Sequence, residues 1–354
     1  MAGRALSKVA IHGVLQEPGD NGPNRDSWRR DSGAARGRNR QTIGATARRM
    51  LRCLCVISLL ATTSVCWGQV HLPDVNLGDT NFEDGFGSPG WFLQEFPEGY
   101  VAGDFKDVHG NTIPGRNRAV AYSTSSFVGY MSEKRIFGGW VAWEALEPIA
   151  DLEIQVANHA DARVSGFADT TVGAGLQWAP KKISKGEFGQ RVVLDVTVPT
   201  GKYSDRRPVN IGNHFVMVEP YYAVTYELKK IEFSARFHYF WNSTNNDPFI
   251  GFGIRNLQPG QATHLNYATS YELWKNIRLG FNGYWLQQVT DHKINDAGIP
   301  HSKERTIGLG PGIQISNRDT WFRLNGYIET DVRNRPSGIK VTFRISKAIP
   351  TKEP

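Results

Sequence analysis

Cysteine is missing from residue 69 onward; all three, Cys53, Cys55 and Cys66, precede it. The body of the chain therefore has no disulfide framework, no cysteine-held metal and no thiol nucleophile. A long hydrophobic run is missing as well. No stretch reaches the about 18 apolar residues that a membrane-spanning helix needs. Nor does the body hold an excess of either charge. Eleven of the 41 Lys and Arg and four of the 34 acids fall in residues 1–68, which leaves 30 of each sign beyond them. The formal charge of +7 belongs to the leader, and no electrostatic footprint for nucleic acid remains in the body.

The leader divides in two. Residues 1–49 are rich in Arg, Gly, Ser and Asn with little periodicity, a composition that does not build a core. Met50-Leu51-Arg52 then makes a basic start, 53–65 is an apolar run of signal length, and Cys66-Trp67-Gly68 puts small residues at −3 and −1 before Gln69. The expectation is a secretory signal at 50–68 with Met50 as initiator, cleavage near Gly68, and 1–49 as a non-native or disordered leader. Residues 69–90, dense in Gly, Asp, Asn and Pro, read as an irregular segment, either a plug in a barrel mouth or a periplasmic tail.

What the body does have is alternation. Thr263, Leu265, Tyr267, Thr269, Tyr271 and Leu273 alternate with His264, Asn266, Ala268, Ser270 and Glu272. After Trp274-Lys275-Asn276, Ile277, Leu279, Phe281, Gly283 and Trp285 alternate with Arg278, Gly280, Asn282, Tyr284 and Leu286. Period-two patterning on both sides of a short polar break predicts a β-hairpin. Each arm runs roughly 11 residues, against a mode of about 5–6 for soluble domains and about 9–11 for a tilted strand crossing a bilayer. Similar segments recur at 91–106, 118–130, 136–146 (or on through Val156), 169–178, 190–198, 214–228, 231–241, 305–316, 320–330 and 338–347. With the two arms they predict an all-β fold, an antiparallel transmembrane β-barrel of about twelve strands (about 12–14) over 91–349, followed by a tail at 350–354. Tight connections at 229–230, 275–276 and 317–319 contrast with long ones at 181–189, 200–213, 242–260 and 290–304, the pattern of short periplasmic turns and long external loops. A soluble β-sandwich also alternates. Trp178, Tyr226, Trp241, Trp274, Trp285 and Trp321, however, fall near strand ends, where an interfacial girdle stands.

Several blocks carry a family resemblance. They are Leu72-Pro73-Asp74-Val75-Asn76-Leu77-Gly78 with Pro89-Gly90-Trp91; Gly166-Phe167-Ala168-Asp169 before Leu176-Gln177-Trp178; and Val198-Pro199-Thr200-Gly201-Lys202-Tyr203 with Asn210-Ile211-Gly212 and Glu219-Pro220-Tyr221. Asn245-Asn246-Asp247-Pro248, Leu265-Asn266-Tyr267, Gly280-Phe281-Asn282-Gly283-Tyr284, Gln287-Gln288-Val289-Thr290-Asp291, Gly308-Leu309-Gly310-Pro311 and Arg333-Asn334-Arg335-Pro336-Ser337-Gly338 follow in order. Over nearly all of 69–347 the chain resembles the outer-membrane proteins of the phenol meta-pathway degradation family. The resemblance implies an outer-membrane barrel that admits aromatic or other hydrophobic growth substrates. One departure is the end of the chain. Such barrels usually close the last strand on an aromatic residue for the assembly machinery, and here Phe343 is the nearest candidate.

Strand parity turns Tyr267, Tyr271 and Phe281 toward lipid and makes a lumen lining of Glu219, Tyr221, Arg236, His238, Phe240, His264, Asn266, Glu272, Arg278, Tyr284, Arg323, Glu329, Lys340 and Arg344, with Asp195 and Gln288. The charges either select solutes or pair with one another across a narrow lumen, since interior charge must be compensated. For a hydrophobic cargo, Tyr221, Phe240 and Tyr284 are the better ligand candidates. A barrel of about twelve strands lies between filled eight-stranded barrels and open porins, so partial occlusion by 69–90 fits. No catalytic residue is assigned. His264 and Ser270 share a face, as do His238 and Ser234, but at about 3.3 Å per residue they stand roughly 20 Å and 13 Å apart along the strand. No metal or cofactor is expected: His109, His159, His214, His292 and His301 lack ligand spacing, and Asp205, Asp247, Asp291 and Asp296 read as solvated loop acids rather than Ca²⁺ ligands. The expected role is passive passage of a small hydrophobic or aromatic solute through an outer-membrane barrel whose partners are lipid, that solute and the assembly machinery. The alternatives are a structural or ligand-binding surface barrel and an outer-membrane hydrolase.

Overall fold

A computed structural model describes residues 71–73, 75–157, 159 and 161–351. The expected leader and signal at 1–68 lie outside the described residues. Among those described, twelve antiparallel strands close into a barrel. They are β1 in two pieces, Gly90–Glu95 and Glu98–Phe105; β2, Arg118–Ile136; β3, Gly139–Gln155; β4 in two pieces, Ala162–Phe167 and Thr171–Ile183; β5, Gly186–Thr197; and β6, Met217–Leu228. The second half comprises β7, Ile231–Asn242; β8, Ala262–Trp274; β9, Ile277–Gln288; β10, Arg305–Asn317; β11, Thr320–Arg333; and β12, Pro336–Pro350.

Closure comes from β1, which pairs with β2 on one side and β12 on the other: Trp91 faces Ile349, and Tyr100 faces Lys340. A closed ladder leaves no sheet edge, so every strand backbone finds its partners without water, as a bilayer requires. β1 breaks at Phe96-Pro97, where proline has no N–H for the ladder. β4 breaks at 168–170, and there the Ala168 N–H turns to Pro148 O at 2.8 Å.

Alternation decides the two faces. On β7, Ile231, Phe233, Phe237 and Trp241 are exposed, while Glu232, Ser234, Arg236, His238 and Phe240 are buried. Leu279, Phe281, Leu309, Leu324, Ile328, Val341 and Phe343 continue the exposed apolar belt around the wall. Such a belt would drive aggregation in water but is the favourable surface against lipid. Trp91, Tyr130 and Trp143 cluster on it near one end, with Trp91 4.9 Å and 5.4 Å from the other two rings.

That end carries five two-residue turns, at Phe137-Gly138, Ser184-Lys185, Lys229-Lys230, Lys275-Asn276 and Arg318-Asp319. Each has a residue with positive φ, among them Asn276 at 69° and Gly138 at 78°, as the hairpin turns that match strand twist demand. The opposite end bears the long connections 198–216, 243–261 and 289–304. The expected long connection at 181–189 is a correction: β4 runs on to Ile183, Ser184-Lys185 turns tightly, and β5 starts at Gly186. Strands can project past the bilayer, and there Lys181 and Lys182 cost nothing. Likewise β2 is longer than the expected 118–130, β3 takes the longer of the two expected extents, and β6 starts at Met217 and leaves His214 in a loop.

Candidate functional site

The lumen is occupied by the protein's own chain. Residues 71–73 and 75–89 run inside the wall from the long-loop end, where the Leu72 N–H donates to Glu304 Oε1 at 2.6 Å, to Gly90 at the tight-turn end. The first third is apolar: Leu72, Val75 and Leu77 pack with Met217, Phe240, Tyr284, Leu286 and Tyr327. The middle is gripped through its backbone. Asn266 Nδ2 donates to Asn76 O (2.7 Å) and Asn266 Oδ1 accepts from the Gly78 N–H (2.9 Å). Lys340 Nζ donates to Leu77 O (2.6 Å), and the Tyr327 hydroxyl donates to Gly78 O (2.7 Å). Gly78 has φ +80°, and a Cβ there would stand 3.0 Å from Tyr327 and 3.2 Å from Tyr284.

Acidic side chains follow, and each meets arginine. Asp79 pairs with Arg344 and Asp84 with Arg236, each pair fully buried, and Arg191 Nη2 lies 3.6 Å from Asp84. Arg278 Nε lies 3.1 Å from Glu83 Oε1 as an ion pair, and Gln314 Nε2 donates to Glu83 Oε2 at 2.8 Å. Buried charge is costly unless matched in this way. At the far end, Gly85 donates to Thr225 Oγ1 (2.7 Å) and accepts from Gln177 Nε2 (2.9 Å). The backbones approach so closely that a Cβ at Gly85 would lie 2.4 Å from Thr225 N.

Of the fourteen residues that sequence parity assigns to the lumen, thirteen are buried: Glu219, Tyr221, Arg236, His238, Phe240, His264, Asn266, Arg278, Tyr284, Arg323, Glu329, Lys340 and Arg344. Glu272 stands half-buried near the turn after β8. They do not converge on one point. Glu329 accepts from the Tyr284 hydroxyl (3.1 Å) and the Tyr100 hydroxyl (2.7 Å); Arg323 donates to Gln314 (2.7 Å) and Ser346 (3.0 Å). Ser234 and Ser270 both donate to Glu232, at 2.7 and 2.9 Å. Glu219, His238 and His264 form a separate buried group. Sequence reading missed Tyr327, although it shares the parity of Arg323 and Glu329. It also missed Gln177 and Arg191, although both fall inside the expected strands 169–178 and 190–198 and Arg191 shares the parity of Asp195.

Two further features frame the lumen. At the tight-turn end a cavity of about 460 Å³ opens at the rim, lined by Phe82 and Phe86 of the internal segment, by Phe92 and Trp321, and by Trp91 and Trp143 of the outer belt, with Glu83, Asp84, Arg191 and Arg323 as its charges. At the long-loop end, Glu304 gathers Arg335 Nη1 (3.2 Å), His71 Nδ1 (3.4 Å) and His292 Nε2 (3.8 Å). His292 Nδ1 accepts from the Gly260 N–H at 2.9 Å, which assigns the ring proton to Nε2. Burial pushes His292 down to about 4, against the opposing pull of Glu304. Burial alone would raise the Glu304 carboxyl, but the hydrogen bond and charge of His71, with Arg335 and His292, hold it below its ordinary range.

Comparison with solved structures finds outer-membrane proteins among those similar to this chain. An outer membrane channel from Pseudomonas putida F1 superposes with a TM-score of 0.66 at 12% identity, covering 75% of this chain and 97% of that one. The translocator domain of the autotransporter NalP from Neisseria meningitidis gives 0.42 at 10% identity, covering 86% of this chain and 97% of that one. No curated protein sequence matches. The family model described as "Putative MetA-pathway of phenol degradation" matches residues 102–345, well over half of the chain. The chain belongs to that family, and its fold is the twelve-stranded barrel of outer membrane channels.

Proposed function

We propose that this barrel mediates passive uptake of small hydrophobic or aromatic compounds across the outer membrane. The aromatic cavity at the tight-turn end carries this reading. Its size suits a small organic ligand, whose sites are mostly apolar clefts of about 300–1,000 Å³ with few polar groups. The internal segment supports it from the other side. A lumen filled by chain and bound through buried ion pairs does not suit free flow of hydrophilic solutes. The family's link to phenol degradation and the likeness to an outer membrane channel agree with it. On this reading Phe82, Phe92 and Trp321 hold the solute, while the segment sets when it passes. The deciding measurement is flux of phenol and toluene into proteoliposomes carrying the folded barrel, with a sugar of similar size as control. Selective flux of the aromatics supports uptake. Equal exclusion of all three, with a folded barrel verified by its heat-shifted band on gels, refutes it.

A further inference from the structure

Glu219 on β6, His238 on β7 and His264 on β8 come from three adjacent strands and point into the lumen at one level, all fully buried. His238 and His264 are direct cross-strand partners. Directly opposed residues hold their Cβ atoms about 4.5–5.5 Å apart, and a diagonal neighbour remains within reach of a long side chain. Glu219 takes that diagonal place, since Tyr221 is the residue opposite His238. One carboxylate oxygen, Glu219 Oε1, lies 2.9 Å from His238 Nδ1 and 3.1 Å from His264 Nε2.

Hydrogen bonding accounts for only part of this arrangement. His264 Nε2 meets Glu219 in acceptable geometry. His238 Nδ1, though nearer, is off the line of a hydrogen bond; it, His238 Nε2 and His264 Nδ1 have no hydrogen-bond partner. Three of four buried ring nitrogens are thus unsatisfied, where buried polar atoms are normally paired. The ligand atoms lie within 4.8 Å of one another. Bonds of about 2.0–2.1 Å in a tetrahedron put neighbouring ligands about 3.3 Å apart, close to the two separations seen. We propose that Glu219, His238 and His264 bind a divalent transition-metal ion of the zinc class through two imidazoles and one carboxylate. The rings are stacked at 3.9 Å and 13°, so a shared ion requires them to swing about χ2 out of the stack until their ring planes converge on it. Two neutral imidazoles and a carboxylate suit zinc and its borderline neighbours and do not suit Mg²⁺ or Ca²⁺, which prefer oxygen. The nearest cation on this face, Arg236, is already matched by Asp84, which reduces its repulsion of an ion. Leu72, Val75 and Leu77 pack against Phe240 beside the site. The ion therefore arrives during folding or when the segment withdraws, and it ties three strands together beneath the segment.

The test uses folded protein in detergent, without a polyhistidine tag, stripped with chelator, loaded with equimolar Zn²⁺ or Mg²⁺ and passed over chelating resin. Retention of one zinc and no magnesium per chain is expected. His238→Gln with His264→Gln should weaken zinc binding by more than the about 10–100-fold that loss of an outer partner costs. Zinc passing straight through the resin, or held equally by the double variant, overturns the site and leaves a hydrogen-bonded cluster only. Should the double variant not fold, X-ray absorption of zinc-loaded wild type decides: two imidazole ligands support the site, and fewer overturn it. None of these outcomes depends on solute uptake.

Discussion

Asp84 and Arg236 meet inside the barrel across 152 residues of sequence, with the guanidinium Nε 2.9 Å from Asp84 Oδ2 and the Arg236 side chain fully buried. The pair pins the internal segment to β7. Removing one partner from a buried pair typically costs about 3–5 kcal/mol, because the other charge is left uncompensated. Asp84→Ala should therefore loosen the segment while the wall, held by its ladders, stays closed. Single-channel recordings should show higher or noisier conductance than wild type, with an unchanged heat-shifted gel band. Wild-type conductance in that variant would mean that the pair does not hold the segment in place.

Gly78 offers a second way to weaken the same contact. Its left-handed φ and the 3.0 Å approach to Tyr327 leave no comfortable place for a side chain. Gly78→Val should cost about 1–3 kcal/mol at that position and expose the segment to protease added on the long-loop side. Equal protection of variant and wild type would count against a tight fit of Gly78 beneath Tyr327.

Acid should act at the other end of the segment. His292 is held neutral with its value near 4, well under the ordinary 6.5, so the released state binds a proton sooner than the docked one. Docking is then strongest above about pH 6.5, weakens as pH falls toward about 4, and flattens below it; the full span corresponds to about 3 kcal/mol. Glu304, held below its ordinary value, works in the same direction, its contribution being lost at still lower pH. Protonating His292 also takes Nδ1 from the Gly260 N–H. Protease sensitivity of residues near His71 should rise between pH 7 and 4.5, and His292→Gln should flatten that rise.

The cavity makes a fourth prediction. Trp321 and Phe92 pack against each other on its lining, with ring centroids 6.3 Å apart. Truncating either to alanine should cut toluene flux several-fold while leaving ion conductance close to wild type. Aromatic contacts of this kind are worth about 0.5–1.5 kcal/mol each beyond their buried area. Flux unaffected by both truncations would place the passage elsewhere.

The wall was legible in the sequence and its contents were not, for a physical reason. A strand writes its two faces into its own sequence, so Phe233 and Arg236 could be placed on opposite sides of β7 without neighbours. Lys181-Lys182 misled because a strand that outruns the membrane no longer has to look apolar. The meeting of Asp79 with Arg344 spans 265 residues and obeys no periodicity. His238 and His264 were each readable as inward-facing. Their direct opposition depends on the register of β7 against β8, set across the connection 243–261, and parity carries no register.

Gly90 continues without a break from the internal segment into β1, so occluder and wall are one molecule. Leaving the lumen is therefore a unimolecular event, and dilution cannot promote it. A released segment stays tethered at the tight-turn end, where flexible tethers hold a ligand at an effective concentration on the order of millimolar. Each opening is thus followed by recapture at a rate set by the chain's own length, whatever the density of barrels in the membrane.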